Sequence, residues 1–73
     1  MKILNQSRDF ILDTNKYDLY IKPITDKEFE IAARDKEDNA LGQYKGKERT
    51  EEIFKEIFQF MRCKKTCYAM PSE

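Results

Sequence analysis

Lys47 to Cys63, KERTEEIFKEIFQFMRC, is the one long stretch of this 73-residue chain whose apolar side chains recur with a helical period. At about 100° per residue, Ile53, Phe54, Ile57, Phe58, Phe60 and Met61 fall within an arc of roughly 160° that also holds Thr50. Glu51, Glu52, Lys55, Glu56, Gln59 and Arg62 take the opposite side, and Glu51 before Lys55 has the favourable i,i+4 order. Glu48, Glu51 and Glu52 near the start, with Arg62, Lys64 and Lys65 near the end, match the helix macrodipole. Gly46 is the predicted N-cap. Burying the six apolar side chains is worth on the order of 10–15 kcal/mol gross, far more than helix propensity supplies. The helix therefore needs a surface to lie on, and the rest of the chain must provide it.

Upstream the period changes from helical to two. Met1 to Leu4 and Phe10 to Leu12, separated by the turn composition of Asn5 to Asp9, read as a hairpin. Tyr17, Leu19 and Ile21 alternate with Asp18, Tyr20 and Lys22, the pattern of a half-buried strand that Pro23 ends or confines to an edge. Phe29, Ile31 and Ala33 alternate with Glu28, Glu30 and Arg34 in a further strand. Asp35 to Asn39 is too polar to bury and reads as a turn. Ala40 to Lys45 is a weaker strand in which Gly42 marks a bulge. Thr66 to Met70 is a last short strand, closed by Pro71. Strands first and one helix late predict a single α+β domain over residues 1–73. Its expected form is a mostly antiparallel sheet of four to five strands carrying the helix on one face, with Tyr17, Leu19, Ile21, Phe29 and Ile31 beneath it.

Composition narrows the function. Lys plus Arg and Asp plus Glu balance at 14 each, so no global field draws the chain to nucleic acid or an anionic membrane. No apolar run approaches the roughly 18 residues of a membrane span, and Met1 to Leu4 runs into polar residues without a signal-peptide core. A cytoplasmic setting is expected.

Met1-Lys2-Ile3-Leu4-Asn5-Gln6, Leu41-Gly42-Gln43-Tyr44 leading into a Glu- and Lys-rich helix, and Tyr68-Ala69-Met70-Pro71 together resemble a group of small uncharacterised proteins encoded by phages and mobile elements of Gram-positive bacteria. The resemblance implies a mobile-element origin and a cytosolic setting, and no activity.

The chain has no histidine, which removes the commonest general base and metal ligand. Cys63 and Cys67 stand beside Arg62, Lys64 and Lys65, whose charges favour a thiolate where the sulfur is exposed. They lack the C-x-x-C spacing of redox motifs and any second pair to complete a zinc site, so two partly buried free thiols are expected. Asp35, Glu37 and Asp38 lack the ligand spacing of a calcium loop. Asp9 with Asp13, and Glu28 with Glu30, carry nothing that separates them from surface charge. No catalytic residue, metal site or cofactor is predicted, and the chain reads as a non-enzymatic protein-interaction module. The alternative is a single-stranded nucleic-acid-binding protein stacking bases on exposed Tyr20, Tyr44 or Tyr68 beside the basic cluster, although Glu28 and Glu30 on the same wet face would repel phosphate. The candidate interaction residues are Tyr20, Tyr44, Arg62, Lys64, Lys65, Tyr68 and Met70. Pro23 guards the edge of its strand, whereas Ala40 to Lys45 and Thr66 to Met70 carry no such guard. A weak homodimer, or strand addition to a partner protein through the C-terminal segment, is expected.

Overall fold

The computed structural model describes residues Met1 to Glu73. Its strands are β1 (Lys2–Leu4), β2 (Ile11–Asp13), β3 (Asp18–Pro23), β4 (Glu28–Arg34), β5 (Asp38–Lys45) and β6 (Cys67–Ala69), with the helix α1 (Lys47–Arg62) between β5 and β6. A single 3-10 turn, Thr14–Lys16, follows β2. The class is α+β, as the order of elements predicts. The sheet is not single: β2-β1-β6 and β3-β4-β5 are two separate three-stranded sheets. The first contains one parallel pair, β1 with β6, which a chain that returns through a helix makes readily. The second is an antiparallel meander.

Local chemistry explains the joints. Asn5 is buried and its carboxamide organises the first hairpin, accepting from the N–H groups of Asp9 and Phe10 (both 3.1 Å) and donating to the Asp9 carboxylate (2.8 Å). The Thr25 hydroxyl accepts from the N–H of Lys27 and of Glu28, closing the turn between β3 and β4. The ladder between β4 and β5 shifts register between Ile31 and Ala32, the bulge that Gly42 announces, and Leu41 is the inserted residue. A side chain at Gly42 would stand 2.7 Å from the Tyr44 hydroxyl. Glycine is therefore what lets that ring lie across the strand. Gly46 is the N-cap, with φ +84°, and Thr50 donates its hydroxyl back to the Gly46 carbonyl at 2.9 Å. β5 begins at Asp38 inside the expected turn, because Asp38 faces Arg34 across the ladder and pairs with it at 3.0 Å.

One core joins the layers: Ile3, Leu12 and Tyr68 from the first sheet with Met70 just after β6, Ile31, Ala33, Leu41 and Tyr44 from the second, and Ile53 and Ile57 from α1. The helix meets it through the middle of the predicted arc. Thr50, Ile53 and Ile57 are buried, and Phe54, Phe60 and Met61 are half-buried. Phe58 departs from the expectation: it is 58% exposed. It occupies the far flank of the arc, roughly 100° from Ile57. Phe60, on the other flank, packs edge-on against Tyr68, with ring centroids 4.9 Å apart. The sheets reach one flank of the helix and stop short of the other.

Candidate interaction surface

The seven candidate interaction residues do not come together. Tyr44, Tyr68 and Met70 are core residues, at most 5% exposed. Tyr44 donates its hydroxyl to the Pro71 carbonyl (2.7 Å), and Tyr68 donates to the Glu56 carboxylate (2.6 Å). Tyr68 in β6 and Met70 just after it both turn inward, so the C-terminal segment does not present these side chains to a partner. Burial pushes the Tyr44 phenol up to about 12, and burial followed by the Glu56 carboxylate raises that of Tyr68. Tyr20 lies half-buried on the outer face of the second sheet, its ring covered by the Arg34 guanidinium 4.6 Å from the centroid. Arg34 also donates to the Tyr20 hydroxyl at 3.2 Å. The stacking platform expected for a single-stranded nucleic acid is thus not assembled: two of the three tyrosines are inside and the third is occupied. Glu28 is on the wet surface as expected, but Glu30 is buried, accepting from the Gln43 carboxamide (3.3 Å).

Arg62, Lys64 and Lys65 are exposed and form no ion pair. Lys64 and Lys65 close α1 with a Schellman motif: Lys65 N–H donates to the Phe60 carbonyl (2.9 Å) and Lys64 N–H to that of Met61 (3.1 Å). Lys64 consequently sits at φ +56°, a left-handed position where glycine is the usual occupant. Cys63 and Cys67 are free thiols, both exposed rather than partly buried, because neither the C-cap nor the outward position on β6 faces the core. No three Cys, Asp or Glu side chains converge as metal ligands would, and every buried side-chain nitrogen and oxygen has a partner.

Two edges of the second sheet differ in a way that local pattern does not disclose. The edge of β5, expected to be unguarded, is sealed. Gln6 N–H donates to the Leu41 carbonyl (2.8 Å), and the Gln6 side chain accepts from Gln43 N–H (2.8 Å) and donates to the Gln43 carbonyl (3.0 Å). The same carboxamide donates to the Ser72 carbonyl (2.9 Å), and Arg49 donates to the Glu73 main-chain oxygen (2.7 Å), so the tail lies strapped beside β5. The edge of β3, expected to be guarded by Pro23, is open, because Pro23 lies at the last position of the strand and leaves Leu19 and Ile21 uncovered. Ile24 N–H donates to the Glu28 carbonyl (2.9 Å), which sets the phase of the ladder. By alternation Asp18, Tyr20 and Lys22 turn their backbone groups toward β4, and Leu19 and Ile21 turn theirs outward.

Beside this open edge lies a groove of about 570 Å³ between β3 and the C-terminal half of α1. Met1, Tyr17, Leu19, Phe54, Ile57, Phe58 and Met61 give it an apolar lining, and Asp18, Lys64 and Lys65 supply its charges. Phe58 and the Leu19–Ile21 edge are the features that motif reading missed. The sequence signal for the first is the position of Phe58 at the limit of the helical arc, and for the second it is Pro23, which marks β3 as an edge strand. No helix of the chain is long and apolar enough to cross a membrane. No protein-family model, curated protein or solved structure matches the chain.

Proposed function

We propose that the chain is a non-enzymatic protein-interaction module, a small cytoplasmic accessory protein of a phage or mobile element, which engages its partner along the β3 edge and the adjoining groove. The observation that carries the reading is Phe58. It is a large aromatic 58% exposed on the chain's single helix, at the lip of an apolar groove and next to a strand whose outward hydrogen-bonding groups have no partner. Burying such a ring is worth about 1.5–3 kcal/mol, and a bound segment supplies that burial. The mobile-element setting rests on the resemblance of the three sequence stretches. The cytoplasmic setting rests on that resemblance and on the two unpaired thiols.

The test is photo-crosslinking in the encoding cells, with benzoylphenylalanine at position 58 and, as control, at exposed Glu37. A protein adduct of defined mass from position 58 and none from position 37 is expected. Equal labelling from both positions, or none from position 58, would overturn the reading.

A further inference from the structure

The run of β3 at the open edge, Asp18-Leu19-Tyr20-Ile21-Lys22, is complementary to itself when it is laid antiparallel. We propose that the partner at this edge is a second copy of the chain, β3 against β3 about a two-fold axis at Tyr20, joining two three-stranded sheets into one of six strands. The proposal rests on the reading of the chain as an interaction module and names its partner.

Three independent features agree on this register. The first is the phase of the hydrogen bonds. With Tyr20 on the axis, Leu19 of one copy faces Ile21 of the other, and these are the residues whose N–H and C=O groups point outward. Each Leu19–Ile21 pair exchanges both of its bonds, whereas a slip of one residue would set inward-turned groups against outward-turned ones.

The second is charge. In the same register Asp18 of each copy stands opposite Lys22 of the other, twice by symmetry, and neither residue has an ion-pair partner within its own chain. Opposite charges directly across a strand pair are favourable and like charges are not. The third is apolar burial. Leu19 and Ile21 share the face of the sheet under α1, as shown by their partners Ala33 and Ile31, so a second β3 brings another Leu and Ile beneath the overhanging flank that carries Phe58. An isologous interface requires this kind of self-complementarity. Pro23 has no N–H to give, so the hydrogen-bonded run stops beside it and the association is weak.

The test is sedimentation velocity of the full chain up to about 500 μM, the range that resolves a dimer of micromolar affinity. The variants are Asp18→Lys, Lys22→Asp and the double reversal, all at exposed positions, with circular dichroism to confirm the fold. A concentration-dependent dimer is expected for the parent. Each single reversal sets two like-charge pairs across the axis and weakens the dimer about tenfold, and the double reversal restores it to within about threefold. A parent that stays monomeric, or a dimer indifferent to all three variants, would overturn the pairing. A monomer that still forms an adduct with a different protein from position 58 would overturn the pairing alone and leave the interaction reading standing.

Discussion

The Gln6 side chain pairs with the backbone of Gln43 at both of its outward groups, accepting from the N–H at 2.8 Å and donating to the carbonyl at 3.0 Å. A single carboxamide thus does for the β5 edge what a neighbouring strand would do. Gln6→Ala removes these two bonds and the one to Ser72. At about 0.5–1.5 kcal/mol net per bond, and with the site solvent-accessible, a loss of about 1–2 kcal/mol is expected. Denaturant unfolding checks it. The variant should also aggregate sooner on heating, because the freed edge becomes a template for pairing. An unchanged midpoint would mean that water replaces the carboxamide without cost.

The same pair shows where sequence reading stops. The strand at Tyr17 to Ile21, the bulge beside Gly42, the N-cap at Gly46 and the helix itself are local patterns with local causes, and each lies where the pattern puts it. The alternation expected of Phe29 to Ala33 fails, because β4 is the central strand of its sheet, with Glu30 and Ala32 buried as well as Ile31 and Ala33. The sealing of β5 depends on a residue 37 positions away. Nothing in Asn5-Gln6-Ser7 announces it. The division into two sheets likewise turns on β1 choosing β2 and β6 over the meander, a non-local decision taken by core packing around Ile3, Tyr68 and Met70. Tyr68 and Met70 are expected beside an open edge because the short segment Thr66 to Met70 has too few apolar positions to reveal which face is inward; only Cys67–Ala69 is strand, and both Tyr68 and Met70 are buried. For Lys64 and Lys65, exposure at the helix end follows from charge alone.

Adjacent helix positions should respond oppositely to the same substitution. Ile57 is 2% exposed at the centre of the core, and Ile57→Asp places a carboxylate there with no partner. Its cost exceeds the few kcal/mol that so small a domain has to spare, so the chain should show no cooperative thermal melt. Phe58→Asp, at a position 58% exposed, should shift stability of the dilute protein by less than about 1 kcal/mol. Unfolding by both variants would place Phe58 in the core and remove the groove.

Lys64 holds a left-handed conformation at the end of α1 for the sake of the two Schellman hydrogen bonds. A side chain there costs about 1–2 kcal/mol of local strain. Lys64→Gly relieves that strain and gives back part of it as backbone entropy of the unfolded chain, for a net gain of about 0.5–1 kcal/mol. In a domain of this size the melting temperature should rise by roughly 2–8 °C. A drop would show that the ammonium, not the backbone, is what the position contributes.

Alkaline stability follows from Tyr44 and Tyr68. Both phenols are raised by burial, Tyr44 from 10.0 to about 12, so the folded state keeps protons that the unfolded chain releases. The sign is that of a group whose folded-state pKa lies above its unfolded one. Its stabilisation is fully present below pH 10 and is lost as pH rises from there through about 12. Urea midpoints should therefore stay level up to the unfolded phenol range and fall steeply above it. Tyr44→Phe should flatten that fall, while lowering neutral-pH stability through loss of the hydrogen bond to Pro71. Absorbance titration of the folded parent should leave Tyr44 and Tyr68 un-ionised until the structure opens. A parent in which Tyr44 and Tyr68 ionise near the ordinary phenol value, with the fold intact, would show that both are open to water and that the core is not closed over them.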